Sequence, residues 1–437
     1  MPHIAPWFPQ AKFGVFIHWV LKAAMNDPHV RKQQEQESTF RKNPQPFADR
    51  FTAENFDADE WARMFKSWGA KYAVLTTKHH IGFALFDHPD SPFTAARNSP
   101  AGRDLVAEYV EALHKAGLKV GLYYSLPDWS HPDYASLAGG DDPMKYSPTD
   151  EPERWNRFVE HMFEEIRHLC TAYGRIDLLW FDGDWERTAE QWRTPQLVEM
   201  IERLQPGIVL NNRLRHSCLG HYGSPEQACP LAPPRGWWEF CMTPGDNWDG
   251  YQANINVKPA GELVRIFGDV LGMGGNMLLN VAPDTDGTIA DVQTQAMGGL
   301  GTWITDHAEA VYGAEPGLPA GLFNGSSTHK GSLLYLICYD TPRDELVVKG
   351  LKSEVKRVTH MRTGTELAFR CSGGRAQFGK AGWLYVKLPA ELMDDYASVV
   401  RVEFADDECV VQTPDGKTLT WRGRPTLTEQ AAYEQRD

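Results

Sequence analysis

Residues Arg175–Asp184 read RIDLLWFDGD. Ile176, Leu178, Leu179, Trp180 and Phe181 form an apolar run of the length of one buried strand, and the run stops abruptly at Asp182. A carboxylate at the mouth of a buried strand loses hydration at a cost unless neighbours hold it. The end of a barrel strand is also where α/β enzymes keep reacting groups. An aspartate that caps a following helix reads the same in isolation, so the rest of the chain has to decide.

Five further runs share this form. Phe13–Ile17 precedes His18 and Trp19, and Tyr72–Thr77 precedes Lys78, His79 and His80. Leu118–Tyr124 precedes Ser125, Asp128 and Trp129; Gly207–Leu210 precedes Asn211, Asn212 and Arg213; Met277–Val281 precedes Ala282, Pro283 and Asp284. Amphipathic segments lie between them. In Asp57–Trp68 the apolar residues Trp61, Met64, Phe65 and Trp68 recur at helical spacing, Asp57 and Glu60 stand in capping-box positions, and Gly69 is a stop signal. Arg103–Ala116 before Gly117, Glu153–Tyr173 before Gly174, Thr194–Leu204, Glu262–Leu271 and Ala290–Ala308 continue the series. Strands alternating with helices predict a parallel α/β sheet, here a (β/α)8-like TIM barrel. Its strands all point one way, so their polar ends converge on one face.

After Gly313 the texture changes. Leu333–Tyr339, Glu345–Val348, Val355–His360, Trp383–Leu388 and Val399–Phe404 are short, rich in Val and Leu, and separated by turn residues. This pattern predicts an all-β sandwich domain. The expected organisation is a catalytic barrel over 1–313, a Gly/Pro/Ala linker at Gly313–Gly321, a sandwich over 321–405, and a tail or added hairpin over 406–437 that includes Val411–Trp421.

At 437 residues the chain is too long for one core. Its net charge of −14 argues against a nucleic-acid partner. No apolar run is long enough to cross a membrane. The opening MPHIAPWFPQ lacks a basic-then-apolar leader, and seven cysteines without CxxC spacing fit free thiols. The expectation is therefore cytoplasmic, or periplasmic or secreted if a signal peptide has been removed. Fifteen tryptophans is a high count. Trp19, Trp129, Trp180, Trp185, Trp237, Trp238 and Trp248 lie beside polar strand ends, although large aromatics also fill barrel tops. Aromatic faces next to carboxylates and imidazoles suit a sugar, whose C–H face packs on a ring while its hydroxyls take hydrogen bonds.

Five segments now carry a resemblance. Phe13-Gly14-Val15-Phe16-Ile17-His18-Trp19, Lys78-His79-His80 followed by Gly82-Phe83, and Gly121-Leu122-Tyr123-Tyr124-Ser125 are the first three. Leu179-Trp180-Phe181-Asp182-Gly183 and Gly274–Pro283 complete the series. In this order they resemble the successive motifs of the α-L-fucosidases of glycoside hydrolase family twenty-nine. Trp303 with Glu309–Gly313 is similar to that family's barrel-closing helix, and the resemblance covers roughly residues 7–405. It implies a catalytic barrel with a C-terminal β-sandwich, no cofactor, and a fucosylated oligosaccharide or glycoconjugate as substrate.

The resemblance makes Asp182 the nucleophile of a retaining mechanism. A second carboxyl group must then protonate the leaving oxygen and later activate water. Glu226, in His221–Glu226, and Glu239, in Trp237–Phe240, compete for that role, and Glu226 is the favoured one. The competing readings are a solvated loop residue for Glu226 and a buried carboxylate that orients Arg213 or the nucleophile loop for Glu239. His18, His79, His80, Tyr124, Trp180 and Arg213 match the family's positions for binding the fucose ring. Neutral imidazoles can both donate to and accept from hydroxyls, and the guanidinium offers a rigid fork. Adjacent residues on a strand point to opposite faces, and no HxH or HExxH spacing occurs, so His79 and His80 predict no metal site.

The chain departs from the family at Val20, where a glycine is usual, at Ile81, where an aspartate is usual, and across Leu21–Thr39. In that last segment Glu35 or Glu37 stands as a replacement sugar ligand. These departures leave the chemistry intact and bear on substrate. The reading is an exo-acting, cofactor-independent α-L-fucosidase. A hydrolase of a related α-L-glycoside such as an α-L-galactoside, or a catalytically weak carbohydrate-binding relative, is the alternative.

Overall fold

A computed structural model of the chain describes residues 4–26, 43–135, 146–215, 219–250, 256–375, 380–405 and 408–421. The segment carrying Glu35 and Glu37 lies outside them. Seven parallel strands form the first sheet: β1 (Phe13–Ile17), β2 (Tyr72–Lys78), β3 (Lys119–Ser125), β4 (Leu178–Asp182), β5 (Val209–Leu210), β6 (Glu239–Met242) and β7 (Asn276–Val281), in the order β5-β4-β3-β2-β1-β7-β6. The gap between edge strands β5 and β6 is spanned by residues 222–226. Parallel bridges join Asn211 to Tyr222, Gly223 to Trp238 and Glu226 to Cys241. The sheet is thereby curled into a barrel.

Side-chain alternation separates two layers. Phe16, Tyr72, Tyr123, Leu178, Trp180, Tyr222, Cys241 and Leu278 pack together inside the barrel. Their neighbours Val15, Leu75, Leu122, Leu179, Phe181 and Met277 pack in a cluster shared with the helices. Gly14 has a packing reason, since a Cβ there would lie 2.4 Å from the interior Tyr72 ring. The predicted helices form where expected. Asp57 and Asp104 cap theirs by accepting from the Glu60 and Ala107 N–H groups, and Gly117, in the left-handed region, ends Leu105–Ala116.

The second unit holds two antiparallel sheets. The first, in the order β12-β15-β10-β9-β8, is built from β8 (Glu315–Pro316), β9 (Ser326–Lys330), β10 (Leu333–Cys338), β12 (Val355–His360) and β15 (Ser398–Phe404). The second, in the order β13-β14-β11-β16-β17, is built from β11 (Leu346–Leu351), β13 (Phe369–Arg375), β14 (Lys380–Val386), β16 (Cys409–Gln412) and β17 (Thr418–Trp421). Val348, Leu384, Val400, Val402 and Val411 fill the space between them. The Gly313–Gly321 segment supplies β8, and the hairpin expected at Val411–Trp421 is an edge of the second sheet. Strands β9 and β13 have no apolar alternation in sequence; the ladders of β10 and β14 hold them in place. The Trp303 indole donates to the Ala397 carbonyl (2.7 Å) and the Thr328 hydroxyl to that of Ala310 (2.8 Å), which ties sandwich to barrel.

Candidate active site

Asp182 ends β4 with its side chain at the mouth of the barrel. Its Oδ1 accepts from Arg213 Nη1 (2.7 Å) and its Oδ2 from the Tyr123 hydroxyl (3.0 Å), while His80 Nε2 lies 3.6 Å from Oδ2. Gly183, at φ +77°, turns the chain away directly after it. The same guanidinium donates through Nη2 to Glu226 Oε2 (2.6 Å) and through Nε to Ser224 Oγ (3.2 Å). It lies over the Trp180 ring, 4.5 Å from the centroid. Burial disfavours the cation, but Asp182 and Glu226 outweigh that and hold its pKa above the ordinary arginine value. Glu226 Oε1 also accepts from the Trp248 indole (3.1 Å). One charged fork thus links two carboxylates, one from a strand end and one from the barrel-closing segment.

These groups open into a cleft of about 290 Å3. His18, His79, His80, Trp180, Asp182, Arg213 and Glu226 line it, with Phe16, Tyr123, Trp185 and Trp248 as further aromatic walls. Asn280 fixes the His18 tautomer. Its amide nitrogen donates to the Trp248 carbonyl (2.7 Å), so its oxygen is left to accept from His18 Nδ1–H (2.7 Å). Burial drives the His18 pKa down to about 4, which keeps the ring neutral with Nε2 as an acceptor. His79 stacks on Tyr123, 5.6 Å between centroids at 9°, and burial together with its histidine neighbours holds its pKa well below the usual value. The Ser125 hydroxyl donates to the Pro127 carbonyl (2.7 Å), so its oxygen accepts from His80 Nδ1–H (2.7 Å).

Three expectations are corrected. Tyr124 does not reach the cleft. Its hydroxyl donates to Glu165 (2.6 Å) in the helix layer, and Tyr123 is the tyrosine that faces in. The register decides this: Tyr123 stands beside Trp180 and Ser125 beside Asp182, so the inward residues of β4 select the inward residues of β3. Second, His79 and His80 both line the cleft with rings 4.2 Å apart, because β2 ends at Lys78 and strand alternation no longer applies. Among the described residues no three His, Cys, Asp or Glu side chains gather as a metal site. Third, Glu239 begins β6 and points into the barrel interior below the cleft, fully buried. Its Oε1 accepts from the Trp180 indole (3.1 Å) and the Tyr222 hydroxyl (3.1 Å), and its Oε2 from the Tyr72 hydroxyl (2.5 Å). Burial raises its pKa to about 7 against those hydrogen bonds.

Behind the cleft, buried Lys78 pairs with Glu165 (2.5 Å) and Asp128 (3.5 Å). Burial opposes ionisation of Glu165, but the ammonium wins and its pKa sits well below the carboxylate range. This network anchors the residues immediately before His79 and Trp129. Of the departures, Val20 lines the cleft and Ile81 is buried. Tyr123, Ser125 and Asn280 were missed as site residues; pairing β3 with β4 in register would have found the first two.

A parallel barrel with two carboxylates and aromatic walls at its strand ends is the arrangement of a sugar-cleaving hydrolase. Comparison with known proteins narrows the class. Residues 2–309 match the α-L-fucosidase family model, and the chain belongs to that family of glycosidases. It is 31% identical over 372 residues to the tissue α-L-fucosidase of Macaca fascicularis, covering 77% of this chain and 76% of that protein. Among solved structures it is similar to α-L-fucosidase isoenzyme 1 from Paenibacillus thiaminolyticus, with 33% identity, a TM-score of 0.81, and 92% and 98% of the two chains covered. It also matches an α-L-fucosidase from Bacteroides thetaiotaomicron solved as a trapped covalent intermediate, with 26% identity, a TM-score of 0.77, and 91% and 94% covered.

Proposed function

We propose that this chain is a retaining exo-α-L-fucosidase that removes terminal fucose from oligosaccharides or glycoconjugates, with Asp182 as nucleophile and Glu226 as acid/base. The observation that carries the assignment is that two carboxylates, Asp182 and Glu226, line one cleft at the strand ends among aromatic and histidine side chains. In the first step Asp182 attacks the anomeric carbon and Glu226 gives its proton to the leaving oxygen. In the second, the Glu226 carboxylate takes a proton from water, which attacks the same carbon and releases Asp182. Developing positive charge at the ring faces the Asp182 carboxylate, which Tyr123 and Arg213 keep fixed in place. Neutral His18 and His79 offer acceptors and donors to ring hydroxyls without adding cationic charge beside an oxocarbenium-like centre. The relative solved as a covalent intermediate supports the two-step route.

An NMR time course on an aryl α-L-fucoside tests this. The first-formed product should have the anomeric configuration of the substrate. Asp182→Gly should lose turnover and regain it with azide, and an initially inverted product or an active Asp182→Gly enzyme overturns the assignment.

A further inference from the structure

A second cavity, of about 880 Å3, opens on the sandwich and shares no residue with the catalytic cleft. Its floor is the outer face of the second sheet. On β14, Leu384 and Val386 point into the sandwich core, so Trp383 and Tyr385 point out. Their rings are 6.1 Å apart and tilted by 34°, and Arg370 covers the Tyr385 face, which leaves Trp383 as the open ring. Trp383 is 45% exposed. Among the described residues one other tryptophan is exposed, Trp185, and that one lines the catalytic cleft. Trp383 lines the cavity itself, so its exposed ring faces the space a ligand would enter.

The rim limits what the cavity would take. Arg370 lies over Tyr385 at 3.8 Å and pairs with Glu345 (2.7 Å), while Asp340 pairs with Arg265 (2.5 Å). Lys349 Nζ stands over the Trp383 ring, 5.5 Å from the centroid, at the outer limit of a cation–π contact. Cations and anions around the cavity offset each other, so nothing selects a charged ligand. Aromatic faces ringed by mixed donors and acceptors suit a neutral, hydroxyl-rich molecule with an apolar face.

We propose that this surface is a second glycan-binding site, with Trp383 stacking on a pyranose ring of the saccharide that carries the fucose. Its ligand class rests on the glycosidase reading above. A site of this kind holds a large substrate near the enzyme and raises the effective concentration of fucosyl ends at the cleft.

The test uses the full chain, as parent, Trp383→Ala and Trp383→Phe. Each is run through native gels containing gastric mucin, with free L-fucose present to occupy the catalytic cleft. Fucose release is then measured from mucin and from nitrophenyl α-L-fucoside. The parent and the Phe variant should be retarded and the Ala variant should not. The Ala variant should keep its kcat/KM on the aryl fucoside within twofold and lose at least fivefold on mucin, mainly through KM. Equal retardation of all three proteins overturns the site. So does a loss in the Ala variant that is equal on both substrates, or a changed sedimentation coefficient with glycan retention intact, which would mark a self-association surface. A parent that is retarded through Trp383 yet cleaves no fucoside overturns the catalytic reading and leaves this site standing.

Discussion

Glu239→Gln separates a buried structural carboxyl from a catalytic one. In the parent, Glu239 sits among Tyr72, Tyr222, Trp180, Cys241 and Arg213, and burial raises its pKa from 4.5 to about 7. Ionisation of this group therefore opposes folding. Its contribution is intact below the unfolded value near 4.5 and is lost as pH rises through about 7. At about 1.4 kcal/mol per pKa unit, the interval amounts to roughly 3 kcal/mol of stability missing above neutral pH. Glutamine mimics the protonated form: its oxygen still accepts from Trp180 and Tyr222, and its NH2 faces the Tyr72 oxygen. Thermal unfolding of both proteins between about pH 5 and pH 8 should show the Tm difference moving in favour of the variant as pH rises. Kinetically, the variant should lose a similar factor on a nitrophenyl fucoside and on a fucosyl disaccharide, because Glu239 acts on Trp180 rather than on the glycosidic oxygen. A Tm difference independent of pH refutes the titration argument. A loss confined to the disaccharide refutes the structural role and makes Glu239 the acid/base.

Four further changes probe the rest of the site. Glu226→Ala should cost far more on a disaccharide than on a nitrophenyl fucoside, since proton donation matters most for a poor leaving group. It should also accept azide to give the opposite anomer from the Asp182→Gly rescue, which product NMR would read. Tyr123→Phe removes a hydrogen bond to a carboxylate, worth about 1.5–3 kcal/mol, so kcat/KM should fall roughly 10- to 150-fold. Tyr124→Phe should lower Tm and leave KM unchanged, and steady-state kinetics on the pair check the assignment of the inward tyrosine. Lys78→Met removes the ammonium from buried Glu165, leaving it His161 and the Tyr124 and Ser91 hydroxyls, and should cost about 3 kcal/mol by denaturant unfolding. Adding Glu165→Gln should recover much of that loss.

The barrel was legible because its evidence is local. An apolar run of strand length followed by polar residues needs no distant information, and Asp182, His18 and Arg213 were found that way. The same locality explains the misses. Period-two alternation says that Tyr123 and Tyr124 face opposite ways, but the choice of the inward one belongs to the pairing of β3 with β4. For His79 and His80 the alternation argument failed at the strand's last residue, and a sequence marks such an end only to within a few positions.

Glu226 and Glu239 show the division most directly. Both stand in aromatic-rich segments, and chemistry alone gives each the same claim to be the acid. What separates them is that residues 222–226 span the gap between β5 and β6 and carry Glu226 to the rim, while Glu239 opens β6 and points to the barrel axis. The sequence by itself determined the strand–helix alternation, the change to a sandwich and the place of Asp182 at a strand end, since each depends on residues within one or two turns of chain. Only the tertiary structure decided which carboxylate meets Arg213, which tyrosine meets Asp182 and that Trp383 is left in water. Those depend on register and closure between strands far apart in the chain.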